Sequence, residues 1–229
     1  MIEVVAFDAD DTLWHTETLF RETQTRLAQI LDNYADHAQV HDHLDEIEYK
    51  NIKLFGYGIK GFTLSMVETA IEISAGKISA RDIHEIISLG KAMLDAPMQI
   101  MPGVEDVLVE LGAVLRLMLI TKGDMLDQTN KIETSGLADH FERVEIVNEK
   151  NAGVYAGIFS QHGVEPTAAV MVGNSLPSDI LPVLELGCYG VHIPYAMTAR
   201  FEQHDQSVQH PRFRELREIA LLPSLLDTL

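Results

Sequence analysis

Val4-Val5-Ala6-Phe7 is an unbroken apolar run that stops on Asp8-Ala9-Asp10-Asp11-Thr12. A short run of this kind reads as a strand buried on both faces, which is the texture of a parallel sheet covered by helices. Three carboxylates crowd its end. A turn accounts for one aspartate as a turn former. It accounts poorly for three, because neighbouring like charges raise one another's pKa and cost stability unless something compensates. A hard divalent cation is the natural compensator, since Mg²⁺ takes carboxylate, carbonyl and water oxygens. Asp8 and Asp10 would share a face on a regular strand. Where the chain leaves the strand and turns, one carboxylate can bind metal and attack a substrate while the other reaches the leaving group.

The same texture recurs. Val114 to Ile120 runs into Thr121, Val144 to Val147 into Asn148-Glu149-Lys150, Ala168 to Val172 into Gly173-Asn174-Ser175, and Gly190 to Ile193 into Pro194. Helical spacing lies between these runs, as in Val104/Val107/Leu108/Leu111. The expected fold class is therefore α/β, a Rossmann-like parallel sheet core whose strand ends line one edge, where ligands bind. From about His15 to Pro97 the pattern is helical almost throughout, roughly 17–31, 38–52, 62–75 and 79–94, with no convincing strand. The expected domains are a core of 1–14 and 98–229 and an inserted α-helical cap domain of 15–97.

Composition narrows the partners. The formal net charge of -18 repels nucleic acid and anionic membrane surfaces. No stretch approaches the ~18 apolar residues of a membrane span. The single cysteine, Cys188, excludes an internal disulfide framework, and with no visible signal peptide the expected location is cytoplasmic. The expectation is no nucleic acid, no membrane, and a monomer or homodimer.

Other strand ends carry polar groups. The Thr121 hydroxyl and the backbone that follows, Lys122 included, suit a phosphate oxygen, although Thr121 alone reads equally as a helix N-cap. Lys150 alone would be a solvated lysine. Asn174 and Asp179 can direct oxygens at a metal, and Asp179 can equally cap the next helix. The conjunction of an aspartate pair, a threonine, a lysine and an Asn/Asp set at four strand ends carries the argument.

Asp8-x-Asp10-x-Thr12-Leu13, then Thr121, Lys150 and Gly173-Asn174-x-x-x-x-Asp179 resemble the haloacid dehalogenase superfamily over the whole chain, with the insertion resembling a C1-type cap. The resemblance implies a Mg²⁺-dependent phosphatase acting on a small phosphorylated metabolite. It implies that Asp8 is the nucleophile and forms an aspartyl-phosphate, and that Asp10 protonates the leaving group and then activates water. By the same resemblance Thr121 and Lys150 are expected to bind phosphoryl oxygens. It further implies that Asp8, the Asp10 carbonyl and Asp179 hold Mg²⁺, with Asn174 in the outer shell; family members often carry aspartate at that position, which bears on metal affinity.

The alternatives are a phosphomutase, an L-2-haloacid dehalogenase, and a non-catalytic phosphate-binding or signalling module. Dehalogenases of the family lack the second aspartate, since halide leaves without a proton. Asp10 therefore favours the phosphatase.

Within the insertion, Gly56-Tyr57-Gly58-Ile59-Lys60-Gly61 is either a helix connector or a substrate-facing loop, with Tyr57 and Lys60 as candidate substrate contacts. The His37/His41/His43 stretch reads as a solvated face. Cys188 is expected in the core and Trp14 near the core–cap junction. A terminal strand and short helix are expected within 216–229.

Overall fold

The computed structural model describes residues 1–197 and 207–229. The described residues form a six-stranded parallel sheet in the order β3-β2-β1-β4-β5-β6. The strands are β1 (Val4–Phe7), β2 (Arg116–Lys122), β3 (Arg143–Val147), β4 (Ala169–Gly173), β5 (Tyr189–His192) and β6 (Phe213–Glu215). Every adjacent pair is parallel. The chain builds outward on one side of β1 through β2 and β3, then crosses to the other side at β4. That reversal between β1 and β4 is the switch point at which open α/β sheets bind ligands.

The apolar runs are continuous because both faces of the sheet are covered. Val5, Phe7, Leu117, Leu119, Val170 and Val172 point to one face. They pack there against Val104, Val107, Leu108 and Leu111 of α5 (Val104–Gly112). Val4, Ala6, Met118, Ile120, Ala169 and Met171 point to the other. Tyr155, Ile158 and Phe159 of α7 (Ala152–Gln161) cover them, together with Val183 of α8 (Leu181–Glu185) and Cys188. The two-residue alternation of strand side chains thus sorts one set of strands into two cores.

By compactness the chain divides into Met1–Thr16 with Met98–Leu229, and Glu17–Pro97. The second unit is four helices, α1 (Glu17–Ile30), α2 (His37–Phe55), α3 (Ile59–Ile73) and α4 (Ala80–Leu94). Its own core includes Leu27, Leu31, Leu44, Phe62, Met66 and Ile86. Asp36 and Gln39 close a capping box at the start of α2, and Ser79 caps α4.

Two expectations are corrected here. The glycine-rich segment is a shorter connector than 56–61, because α2 runs to Phe55 and α3 starts at Ile59, which makes Lys60 helical. The terminal strand is Phe213–Glu215, ahead of the expected span, with α9 (Leu222–Leu226) behind it. It is a three-residue edge strand with no apolar run to announce it.

Candidate active site

The loop after β1 separates the paired aspartates. Thr12 N and Leu13 N both donate to the Ala9 carbonyl, and Asp11 N donates to Trp14 O at 2.8 Å. Asp11 takes the left-handed conformation (φ 62°), an arrangement that side-chain-bearing residues rarely adopt and that gathers at functional sites. Its carboxylate accepts from Thr16 N at 2.9 Å and secures the turn. In consequence Asp8 and Asp10 face different partners.

Asp8 is buried. Its Oδ1 lies 2.5 Å from Lys150 Nζ, and its Oδ2 accepts from the Thr12 hydroxyl at 2.9 Å. Lys150 follows β3 and precedes α7, whose N-cap Asn151 accepts from Val154 N. The same ammonium lies 2.7 Å from Asp179 Oδ1, while Asp179 Oδ2 accepts from Ser175 N at 3.0 Å. A side chain on Gly173 would set its Cβ 2.3 Å from Asp179 Oδ2, so the end of β4 must be glycine for Asp179 to lie there.

Burial and then the charge of Asp179 push the Asp8 carboxyl up to about 7, against the pull of Lys150. Burial alone would depress Lys150; Asp179 first and Asp8 second hold it well above the usual lysine range. Two buried carboxylates thus share one ammonium and leave one negative charge uncompensated.

That deficit is the test of whether a divalent cation fits. Among the described residues no three His, Cys, Asp or Glu side chains are arranged to hold a metal ion. The donor set at the site is instead two carboxylates and a backbone carbonyl. The Thr12 hydroxyl donates to Asp8, so it can only accept from Asn174, which orients the Asn174 amide with nitrogen inward. So oriented, this nitrogen lies 3.2 Å from the Asp10 carbonyl oxygen and 3.3 Å from Asp8 Oδ2. These two oxygens therefore converge on one donor, and with Asp179 they make a hard-oxygen set short of positive charge, which suits Mg²⁺. Asn174 presents a donor to that set rather than the oxygen expected of it.

Asp10 accepts from four side chains. Trp14 Nε1 and Thr16 Oγ1 reach Oδ1 at 2.7 Å each, and Gln128 Nε2 reaches Oδ2 at 2.8 Å. Lys131 Nζ spans both oxygens at 3.2 and 3.1 Å. Burial would raise the Asp10 carboxyl; Lys131, then the hydrogen bonds from Gln128, Thr16 and Trp14, hold it below its ordinary range. Gln128 and Lys131 stand on α6 (Met125–Ser135), capped by Asp124.

Thr121 is buried at the tip of β2 and donates to Gln128 Oε1 at 3.1 Å. Lys122 points to the opposite face, where Nζ donates to Ser178 Oγ at 3.1 Å and lies 3.6 Å from Glu149. The structure thus gathers Asp8, Asp10, Thr121, Lys150, Asn174 and Asp179 into one hydrogen-bonded arrangement, with Lys122 beside Ser178. Tyr57 and Lys60 belong to the other unit, on the connector and first turn of α3.

Sequence reasoning missed Gln128 and Lys131. Their i, i+3 spacing puts both on one face of α6, and nothing in the sequence separates that face from a solvated one. Trp14, expected near the core–cap junction, has a buried ring that donates to Asp10.

Residues 2–187 match the family model described as haloacid dehalogenase-like hydrolase. N-acylneuraminate-9-phosphatase of Rattus norvegicus is 28% identical over 199 residues, 81% of this chain and 79% of that protein. The Homo sapiens protein of the same name is 27% identical over the same shares. Among solved structures, a haloacid dehalogenase-like family hydrolase from Xanthomonas campestris is 41% identical with a TM-score of 0.89, covering 99% of this chain and 91% of that one. A 2-haloacid dehalogenase from Pseudomonas syringae shares the fold, with a TM-score of 0.66 at 20% identity over 100% and 99% of the two chains.

Proposed function

Because this chain belongs to the haloacid dehalogenase-like hydrolases, we propose that its reaction is the hydrolysis of a small-molecule phosphate monoester through an aspartyl-phosphate on Asp8. The observation that carries this reading is Asp10. A second carboxylate stands two residues from the nucleophile and is held in place by four other side chains. A halide departs without a proton, and a dehalogenase has no need of such a group. An alkoxide leaving group gains ~10²–10⁴-fold from protonation.

Asp8 Oδ attacks phosphorus, and the new Asp8 O–P bond forms as the ester P–O bond breaks. The anionic phosphoryl group raises the Asp10 carboxyl against the pull of Lys131, so that Asp10 takes up a proton from solvent and gives it to the departing oxygen, and the alcohol leaves. Water then attacks the phosphorus, Asp10 takes its proton, and inorganic phosphate leaves as the Asp8 carboxylate is regenerated. The Thr121 hydroxyl, its hydrogen turned from Gln128 Oε1, and the Lys150 ammonium bind phosphoryl oxygens, where charge accumulates in transfer. Asp8, the Asp10 carbonyl and Asp179 would hold Mg²⁺, which supplies positive charge against the phosphoryl group when bound. The Asn174 amide steadies the Asp8 and Asp10 oxygens.

Lys122 is a further candidate for an anionic substrate. Tyr57 and Lys60, in the helical unit, are candidate substrate contacts, and an unchanged kcat/KM in Lys60→Ala would remove Lys60 from that role.

The relatives named N-acylneuraminate-9-phosphatase make N-acylneuraminate 9-phosphate the first ester to try. A phosphate-release screen over a panel of phosphorylated metabolites with Mg²⁺ tests the reading. Turnover of one or more esters is expected. No release from any, by folded protein with Mg²⁺, would contradict it.

A further inference from the structure

We propose that Gln128 and Lys131 are positioning residues for Asp10, holding its carboxylate plane at the angle needed to meet the leaving oxygen; this rests on the phosphate-ester reading above. The terminal torsion of an aspartate is soft and broad. Trp14 and Thr16 fix only Oδ1, from the same loop that carries Asp10. Among the described residues Oδ2 is held from α6 alone, by Gln128 Nε2 and Lys131 Nζ. The two α6 residues therefore decide the plane of the carboxylate. An acid/base group must be held within about 0.5 Å and 10–20° of its working position.

Three observations say that this arrangement is built. Lys131 is buried, and its ammonium also lies 3.4 Å from the buried Asp127 Oδ2. A buried lysine between two carboxylates is weak evidence for stability, since apolar residues of similar volume often serve a fold as well. Gln128 uses both ends of its amide, accepting from Thr121 Oγ1 while donating to Asp10. The hydroxyl assigned to phosphoryl binding and the acid/base carboxylate thus hang on one side chain. Gly123 keeps room for it, since a Cβ there would lie 2.8 Å from Gln128 Nε2.

The role predicts a dependence on the leaving group that a merely structural role does not. p-Nitrophenyl phosphate releases a stable anion and needs little help from Asp10, whereas phenyl phosphate needs more. Both are assayed with Mg²⁺ for wild type, Lys131→Met, Lys131→Arg, Gln128→Leu and Gln128→Asn. Gln128→Asn keeps the amide but shortens its reach, which guards against a fold defect in the apolar variant. The expected result is a loss in kcat/KM, which reports transfer to Asp8 before the water step that both esters share, of no more than ~10-fold on p-nitrophenyl phosphate and ~10²-fold or more on phenyl phosphate. Lys131→Arg recovers part of the phenyl phosphate rate. Equal losses on both esters, or no loss on either, would overturn the positioning role while leaving the phosphatase reading intact. Absence of turnover by wild type on both esters and across the metabolite panel would overturn the two together.

Discussion

The Lys150 ammonium lies 2.5 Å from Asp8 Oδ1, across 142 positions of sequence. It also reaches Asp179 at 2.7 Å, so one cation stands between two buried anions. Removing one partner of a buried ionic cluster leaves charge without compensation, at about 3–5 kcal/mol. Lys150→Met is therefore expected to lose about that much stability in urea unfolding and to release no phosphate. Asp8→Asn takes away one of the two like charges and is expected to unfold at or above the wild-type midpoint while equally inactive. A Lys150→Met protein as stable as wild type would contradict the charge account.

Asn174 offers a second check. Its amide nitrogen faces Asp8 Oδ2 and the Asp10 carbonyl. Asn174→Asp replaces a donor with a third carboxylate at a site already short of positive charge. The metal-free protein is expected to melt at a lower temperature, because like charges crowd. Mg²⁺ should bind ~10-fold or more tightly by calorimetry and restore the melting temperature, since added anionic oxygens favour a hard cation. Unchanged Mg²⁺ affinity would show that this position does not face the metal.

The helical unit carries a pH dependence of its own. Burial first, then Asp45 and Glu17, push the Glu48 carboxyl from 4.5 to about 7. The folded state holds that proton more tightly than the unfolded chain does. Stability therefore falls as pH rises from about 4.5 to 7, and the whole cost remains above that. Glu48→Gln removes the titration. Its melting temperature is expected to exceed wild type by several degrees at pH 8, the difference closing below pH 4.5. A difference of the same size at both pH values would place the effect in packing rather than charge.

The strands that carry the site were readable because each is a short apolar run ending on a polar residue. β1 stops at Asp8, β4 at Gly173-Asn174, and the run ending near Ile120 puts Thr121 on the edge. The four helices between 17 and 94 were readable from their apolar spacing. What was not readable depends on where a helix faces. Gln128 and Lys131 look like any polar pair on an amphipathic helix until α6 is docked beside the Asp10 loop. The direction of the Asn174 amide follows from which way the Thr12 hydroxyl donates, and that is set by tertiary contact alone. β6 is three residues at a sheet edge, held by pairing with β5 rather than by an apolar pattern.

The proposal that Asp8 is the nucleophile is tested most directly by trapping the phosphoryl group. Wild-type protein and Asp8→Asn are mixed with Mg²⁺ and p-nitrophenyl phosphate, quenched in acid during turnover, and mapped by peptide mass spectrometry. A phosphoryl group on Asp8 in wild type, with neither modification nor phosphate release in Asp8→Asn, is the predicted result. Sustained phosphate release by Asp8→Asn, or wild-type turnover with the phosphoryl group on another residue, would contradict the assignment.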